Sequence, residues 1–148
     1  MTSDFKDLLR SLCDNQVEFM VVGGHAVMLY TEPRYTKDLD ILISRTGENA
    51  GRTMVALREF GAPLSNLTTE DLQQEGIFYQ IGVAPIRIDI ITSIPGVEFE
   101  DAWQRRLVSP IDEIPVPFIS KDDLIAAKLA SGRPQDLVDA GALAKSKR

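Results

Sequence analysis

The sequence of 148 residues has one cysteine, one histidine and no apolar run long enough to cross a bilayer, which takes roughly 20 residues. The single Cys13 excludes an internal disulfide framework, and the single His25 leaves a zinc site short of ligands. The opening MTSDFKDLLR lacks the basic segment followed by an apolar one that marks a secretory signal. We therefore expect a cytoplasmic protein that has no membrane partner.

Positive charge is also scarce, because 16 Lys and Arg residues face 22 Asp and Glu residues, for a net charge of −6. An acidic chain is a poor general binder of nucleic-acid phosphates, so an RNA substrate would need a local basic patch. A metal site would account for part of the acidity. The length fits one domain with one core, over residues 1–148.

Hydrophobic periodicity predicts an α/β fold of the α+β type, in which helices flank a mixed, largely antiparallel β-sheet and a helical pair ends the chain. The predicted helices include one near residues 5–12, then 25–30, 51–60, 99–107, 123–130 and one that begins at Pro134. The predicted strands are 17–22, 38–43, 77–81, 86–92 and 116–119, and residues 82–85 join the third and fourth as a hairpin.

The most informative pattern is the Asp-x-Asp of Val21–Ile43, VVGGHAVMLYTEPRYTKDLDILI. Asp38 and Asp40 are two residues apart on a predicted strand, so their side chains share one face. Their Cα atoms are expected ~6.6 Å apart, and two carboxylates so placed can bridge a pair of divalent cations. The intervening apolar residues point the other way, toward a core.

Asp89 lies in the middle of an apolar strand, RIDII. A buried, unpaired charge is costly, so this carboxylate either pairs with an arginine or serves as a third metal ligand. The presence of Asp38 and Asp40 upstream favours the ligand, which would also be placed to take a proton from an acceptor hydroxyl. Mg²⁺ (or Mn²⁺) suits such a set, since carboxylates and substrate phosphates usually hold it, often as a pair of ions.

Gly23-Gly24 follows a predicted strand and opens a helix. Without side chains these residues let the backbone approach a phosphate closely, and a helix N-terminus favours an anion. Most Gly-Gly pairs are only turns, and this one gains weight from the carboxylates downstream. Arg34 and Lys37 precede those carboxylates and are candidates for phosphate contact, although solvated loop charges are the default interpretation.

A Gly-Gly turn after a strand, then an Asp-x-Asp strand and an isolated Asp strand resemble the DNA polymerase β-like nucleotidyltransferase superfamily. The fuller string GGHAVMLYTEPRYTKDLDI resembles its branch of AbiEii-type toxins and related small bacterial proteins, and the ending DLIAAKLASGRPQDLVD is similar to the end of that branch. The resemblance implies that Gly23 and Gly24 cradle a triphosphate and that Asp38, Asp40 and Asp89 bind metal. In the ending it implies that Lys128 contacts the nucleotide phosphates and that Asp136 is the associated acid.

This resemblance implies a metal-dependent enzyme that moves a nucleoside monophosphate from a nucleoside triphosphate, ATP among the candidates, to a hydroxyl. The resemblance does not specify whether the acceptor is a tRNA end, a protein or a small molecule. It also implies a toxin role with a cognate antitoxin. The main alternative is a non-catalytic nucleotide-binding or antitoxin-like protein of the same fold. A phosphatase with an aspartate nucleophile is disfavoured because its Asp-x-Asp follows an apolar strand, whereas here the pair begins one. A purely structural domain is the last alternative.

Overall fold

The computed structural model describes residues 1–82 and 87–148. The helices are α1 (Ser3–Asp14), α2 (Gly23–Tyr30), α3 (Gly47–Phe60), α4 (Phe99–Gln104), α5 (Lys121–Ser131) and α6 (Pro134–Lys145), with a 3₁₀ turn at Asp71–Gln73. The strands are β1 (Phe19–Val22), β2 (Asp38–Ile43), β3 (Phe78–Ile81), β4 (Arg87–Ile91), β5 (Leu107–Ile111) and β6 (Ile114–Phe118).

The described strands form one mixed sheet in the order β3-β4-β2-β1-β6-β5. Pairing is antiparallel for β3–β4, β1–β2 and β5–β6, and parallel for β2–β4 and β1–β6. The predicted fold class is therefore confirmed, including the hairpin of β3 and β4. Its predicted connection falls mostly on residues 83–86, which lie outside the described residues, as does the predicted strand start at residue 86.

The alternation of β2 separates an acidic face from the core. Leu39, Ile41 and Ile43 are fully buried, whereas Asp38 and Asp40 are half-buried on the other face. Helices α1 and α3 pack on each other, α2 lies against β1 and β2, and α5 and α6 pack together beside α2. None of the helices in the described parts of the chain is long and apolar enough to span a membrane.

Two predicted element bounds are wrong by three residues or more. Helix α3 begins at Gly47 rather than residue 51, because the Thr46 hydroxyl caps it by accepting a hydrogen bond from the Asn49 amide at 3.2 Å. The helix predicted over 99–107 ends at Gln104, and Leu107 instead opens β5, a strand that the periodicity did not predict. Strand β5 lies at the sheet edge, where Pro110 is tolerated because its missing N–H costs no ladder bond.

Candidate active site

The β1–α2 turn brings the backbone of Gly23 against the Asp40 carboxylate. Gly23 has φ +70°, and a Cβ at this position would overlap Asp40 Oδ2. At Gly24 an added Cβ would lie 2.7 Å from Thr36 Oγ1, closer than van der Waals contact allows. Glycine lets the backbone lie this close to the Asp40 and Thr36 side chains, and at Gly23 it also suits the left-handed conformation.

The register of two parallel strands places Asp40 directly beside Asp89. These residues are Cα partners in the β2–β4 ladder, and Asp38 pairs in the same ladder with Arg87. Asp89 is 4% exposed, and its Oδ1 accepts a hydrogen bond from Gln80 Nε2 at 3.1 Å.

Burial and nearby negative charges disfavour the ionised form of Asp40. Burial raises the pKa of Asp40 to about 7, and the side-chain hydrogen bond and charge of Asp89 and the charge of Asp38 act in the same direction. The positive charge of Lys128 opposes them. In the same region, Asp38 Oδ1 is buried and has no hydrogen-bond partner among the described residues.

The oxygen donors fit a divalent cation. A hard cation would satisfy both the adjacent carboxylates of Asp40 and Asp89 and the buried Asp38 oxygen that lacks a hydrogen-bond donor. Within residues 1–82 and 87–148, no three His, Cys, Asp or Glu side chains are already arranged around one point as ligands. The site is thus a pair, Asp40 and Asp89, with Asp38 two residues earlier on the same strand face.

A cleft of about 200 Å³ opens beside Asp40, between the end of the sheet and the C-terminal helices. Its polar lining comes from the Gly23 backbone and from Asp40, Lys128, Ser131, Arg133 and Asp136. Its apolar lining includes Val22, Ile91, Ile94, Pro95, Leu124 and Ala127. One side of this cleft therefore carries Asp40 and the Gly23 turn, and the other carries two cations; Asp38 and Asp89 do not belong to its lining.

Lys128 reaches the cleft from α5 as an almost buried cation. Its side chain is 14% exposed, and its Nζ lies 3.4 Å from Asp136 Oδ1 and 3.2 Å from Asp139 Oδ2. The apolar periodicity of α5 predicts that Leu129 packs on the sheet together with Leu124, but Leu129 is 57% exposed. At about 100° per residue it lies far round the helix from the buried Leu124, so this prediction is wrong.

The family assignment matches this geometry. The model of the family described as "Nucleotidyltransferase of unknown function (DUF6036)" matches residues 3–146. The chain belongs to this nucleotidyltransferase family. The predicted superfamily is therefore confirmed, while the AbiEii-type branch stays a prediction.

Solved structures share the fold of this nucleotidyltransferase at low sequence identity. The crystal structure of ANT(2″)-Ia in complex with adenylyl-2″-tobramycin is 16% identical, with a TM-score of 0.59 over 95% of this chain and 84% of that one. The crystal structure of the protein TM1012 from Thermotoga maritima is 17% identical, with a TM-score of 0.64 over 90% of this chain and 86% of that one. The solution structure of ANT(2″)-Ia is 15% identical, with a TM-score of 0.61 over 96% and 80%. No curated protein matches the chain in sequence.

Arg34 lies outside the lining of the cleft in this nucleotidyltransferase. Its guanidinium binds Asp139, with Nη1–Oδ1 at 2.7 Å and Nη2–Oδ2 at 3.3 Å, and Gln135 Nε2 donates to the same carboxylate at 2.9 Å. Burial works to raise the pKa of Asp139, but the hydrogen bonds from Arg34, Gln135 and Lys128 outweigh it and hold the pKa below its usual range. Arg34 is thereby joined to Lys128 through one shared carboxylate.

The sequence pattern did not single out Asp139 and Gln80, which contact predicted site residues. Asp139 is 2% exposed and follows Asp136 by three residues on α6, and that spacing of two acids on one helix face was a usable signal. Gln80, the partner of Asp89, gave no signal, because an isolated glutamine on an edge strand is ordinary.

Proposed function

We propose that the chain transfers a nucleoside monophosphate from a nucleoside triphosphate to an acceptor hydroxyl, with Asp38, Asp40 and Asp89 holding divalent cations. The observation that carries the proposal is the pairing of Asp40 with Asp89 across β2 and β4, against the Gly23 turn. Mg²⁺ or Mn²⁺ bound there would neutralise phosphate charge and make the acceptor oxygen a better nucleophile.

The residues of the chain have separate parts in this reaction. Gly23 and Gly24 cradle the phosphate chain with the backbone of the β1–α2 turn. Asp89 takes the proton of the acceptor hydroxyl, whose oxygen attacks the α-phosphorus. A P–O bond forms there as the bond to the bridging oxygen of the β-phosphate breaks, and pyrophosphate leaves.

The C-terminal helices supply the nucleotide's counter-charge in this proposal. Lys128 and Asp136 complete the nucleotide site, and Lys128 is placed to offset the negative charge of Asp40. Arg34 contributes through Asp139, which it shares with Lys128. Direct contact between Arg34 and phosphate stays a prediction from the sequence.

The acceptor belongs to one of three classes: a tRNA end, a protein or a small molecule. Among the structural neighbours, ANT(2″)-Ia is bound to an adenylylated small molecule, tobramycin. The toxin role and the antitoxin partner remain predictions from the resemblance, and the cytoplasmic location remains a prediction from the composition of the sequence.

A labelling experiment tests transfer directly. The protein is incubated with magnesium and each of four α-³²P-labelled nucleoside triphosphates, with total cellular RNA, protein and small molecules as separate acceptor pools. We expect label in one pool with the wild type and none with Asp40→Asn or Asp89→Asn. Asp112→Asn is the matched control, because Asp112 lies in the exposed β5–β6 turn at φ +46°, a backbone that asparagine tolerates.

A binding experiment separates an enzyme from a protein that only binds nucleotide. Magnesium together with nucleotide is expected to raise the melting temperature more than either alone, because three carboxylates repel a bare triphosphate. The stabilisation is about 2.7 kcal/mol when the ligand is at 100 times its dissociation constant. Stabilisation without transfer to any pool would identify a non-catalytic nucleotide-binding protein, and no stabilisation would contradict a nucleotide site.

A further inference from the structure

The turn between α5 and α6 fixes the position of Arg133 beside the cleft. Gly132 ends α5 in the left-handed conformation, at φ +68°, and Pro134 begins α6. A following proline restricts the residue before it to extended backbone, and Arg133 has φ −68° and ψ 154°. The backbone on both sides is therefore constrained, and the Arg133 side chain lines the cleft that Gly23 and Asp40 also line.

A buried carboxylate holds the guanidinium of Arg133 from one side. Arg133 Nε lies 2.7 Å from Asp136 Oδ2, and Nη2 lies 3.4 Å from Asp136 Oδ1. Asp136 is 3% exposed, whereas the Arg133 side chain is 78% exposed. In the described part of the chain Nη1 has no hydrogen-bond partner, so this edge of the planar group is available to a ligand.

The two cations of the cleft differ in what they offer an incoming anion. Lys128 is nearly buried, and its charge is shared between Asp136 and Asp139. Arg133 has one carboxylate partner and stays accessible. The hydrogen bond and charge of Asp136 raise the pKa of Arg133, and Asp40 across the cleft adds to this effect, so the guanidinium is fully charged at neutral pH.

We propose that Arg133 is a phosphate-binding residue at the mouth of the cleft, and that Asp136 is the positioning residue that orients its guanidinium. The inference rests on the proposed function, since it assigns Arg133 to the same nucleotide. Guanidinium groups suit this contact because their planar fork of N–H donors matches the geometry of phosphate oxygens. Lys128, in contrast, mainly neutralises the buried carboxylates of Asp136 and Asp139.

The chain provides a matched control in Arg105. Its Nε and Nη2 bind Asp123 in the first turn of α5 at 3.0 and 2.9 Å, as Arg133 binds Asp136 in the first turn of α6. The Arg105 side chain is 55% exposed and does not line the cleft. Arg105→Ala and Arg133→Ala therefore remove the same kind of ion pair, and only the second removes a cation from the cleft.

The test measures binding of inorganic tripolyphosphate with magnesium by calorimetry, a probe that does not depend on the base, and then of the four nucleoside triphosphates and their nucleosides. We expect Arg133→Ala to weaken tripolyphosphate and triphosphate binding by about tenfold or more, the effect of losing one charged hydrogen-bonding contact. Arg133→Lys is expected to recover part of the lost affinity. Arg133→Ala is expected to bind nucleosides as the wild type does, and Arg105→Ala is expected to bind every one of these ligands as the wild type does.

The same measurements distinguish failure of the role of Arg133 from failure of the proposed function. Equal affinities for Arg133→Ala and Arg105→Ala would overturn the role of Arg133 while leaving the proposed function intact. A loss of nucleoside binding as large as the loss of tripolyphosphate binding would mark Arg133 as merely structural. If the wild type binds neither tripolyphosphate nor any nucleoside triphosphate with magnesium, the proposed function itself fails.

Discussion

Replacement of Asp40 by asparagine is expected to stabilise the metal-free protein at neutral and alkaline pH. The side chain keeps its shape and loses a charge that burial and Asp89 disfavour. One pH unit between folded and unfolded pKa values corresponds to about 1.4 kcal/mol. The rise in the pKa of Asp40 from 3.8 to about 7 therefore lowers the free energy of unfolding by up to about 4 kcal/mol.

The sign of the pH dependence follows from proton binding. Between pH 4 and 7 the folded state holds the Asp40 proton more tightly than the unfolded state, so the contribution of Asp40 to the free energy of unfolding falls as the pH rises through this range. The Asp40→Asn variant lacks this loss. The two proteins are expected to be about equally stable near pH 4 and to differ most above pH 7.

Urea denaturation in a chelating buffer at several pH values from 4.5 to 8.5 measures the difference. Asp112→Asn is the control, and its effect on stability is expected to have the opposite sign. A hydrogen bond and ion pair with Lys6 lower the pKa of Asp112, so the loss of this charge is expected to destabilise the protein. Saturating magnesium is expected to shrink the advantage of Asp40→Asn, since bound cation stabilises the ionised wild type. A variant that is no more stable than the wild type at pH 8 in chelator would refute the argument.

Three other substitutions test the surroundings of the site. Gly23→Ala is expected to unfold or inactivate the protein, because its Cβ would overlap the Asp40 carboxylate, whereas Gly141→Ala in α6 meets nothing within 4 Å and is expected to stabilise it by about 0.5–1 kcal/mol in thermal melts. Lys128→Met is expected to lower the free energy of unfolding by about 2 kcal/mol, measured in urea, since two buried carboxylates lose a shared partner. Asp139→Asn is expected to make the free energy of unfolding depend less on pH in the acid range. The lowered pKa of Asp139 gives stability that is present above the pKa of the unfolded state and is lost as the pH falls toward the pKa of the folded state. If the variant and the wild type lose stability equally as the pH falls, Asp139 does not contribute in this way.

Strand β2 shows what the sequence could predict. Its bounds and its buried residues follow from a local pattern, in which acidic and apolar side chains alternate from Asp38 to Ile41 and two more apolar residues follow. The same alternation in RIDII puts Asp89 on the face opposite to Ile88 and Ile90. The register that makes Asp40 and Asp89 direct neighbours depends on how two strands far apart in the chain align, which periodicity alone does not specify.

Features that depend on distant partners were beyond the sequence. Strand β5 was missed because its residues, LVSPI, combine a proline with weak alternation, and the strand forms by pairing with β6 across a two-residue turn. The Arg34–Asp139 pair joins residues 105 positions apart. A pattern shows that each is charged, and only the fold shows that they meet.

The separation of Arg34 from Asp139 also bears on how the protein is made. Chains emerge from the ribosome N-terminus first, so β1, β2 and their acidic residues exist well before α6. Until α6 docks, Arg34 lacks Asp139, and Lys128 lacks both of its carboxylates. A partly synthesised chain therefore carries the crowded carboxylates without the organised cations. Nucleotide affinity should appear only when the final helix has been translated and packed, so that ligand binding reports completion of the fold.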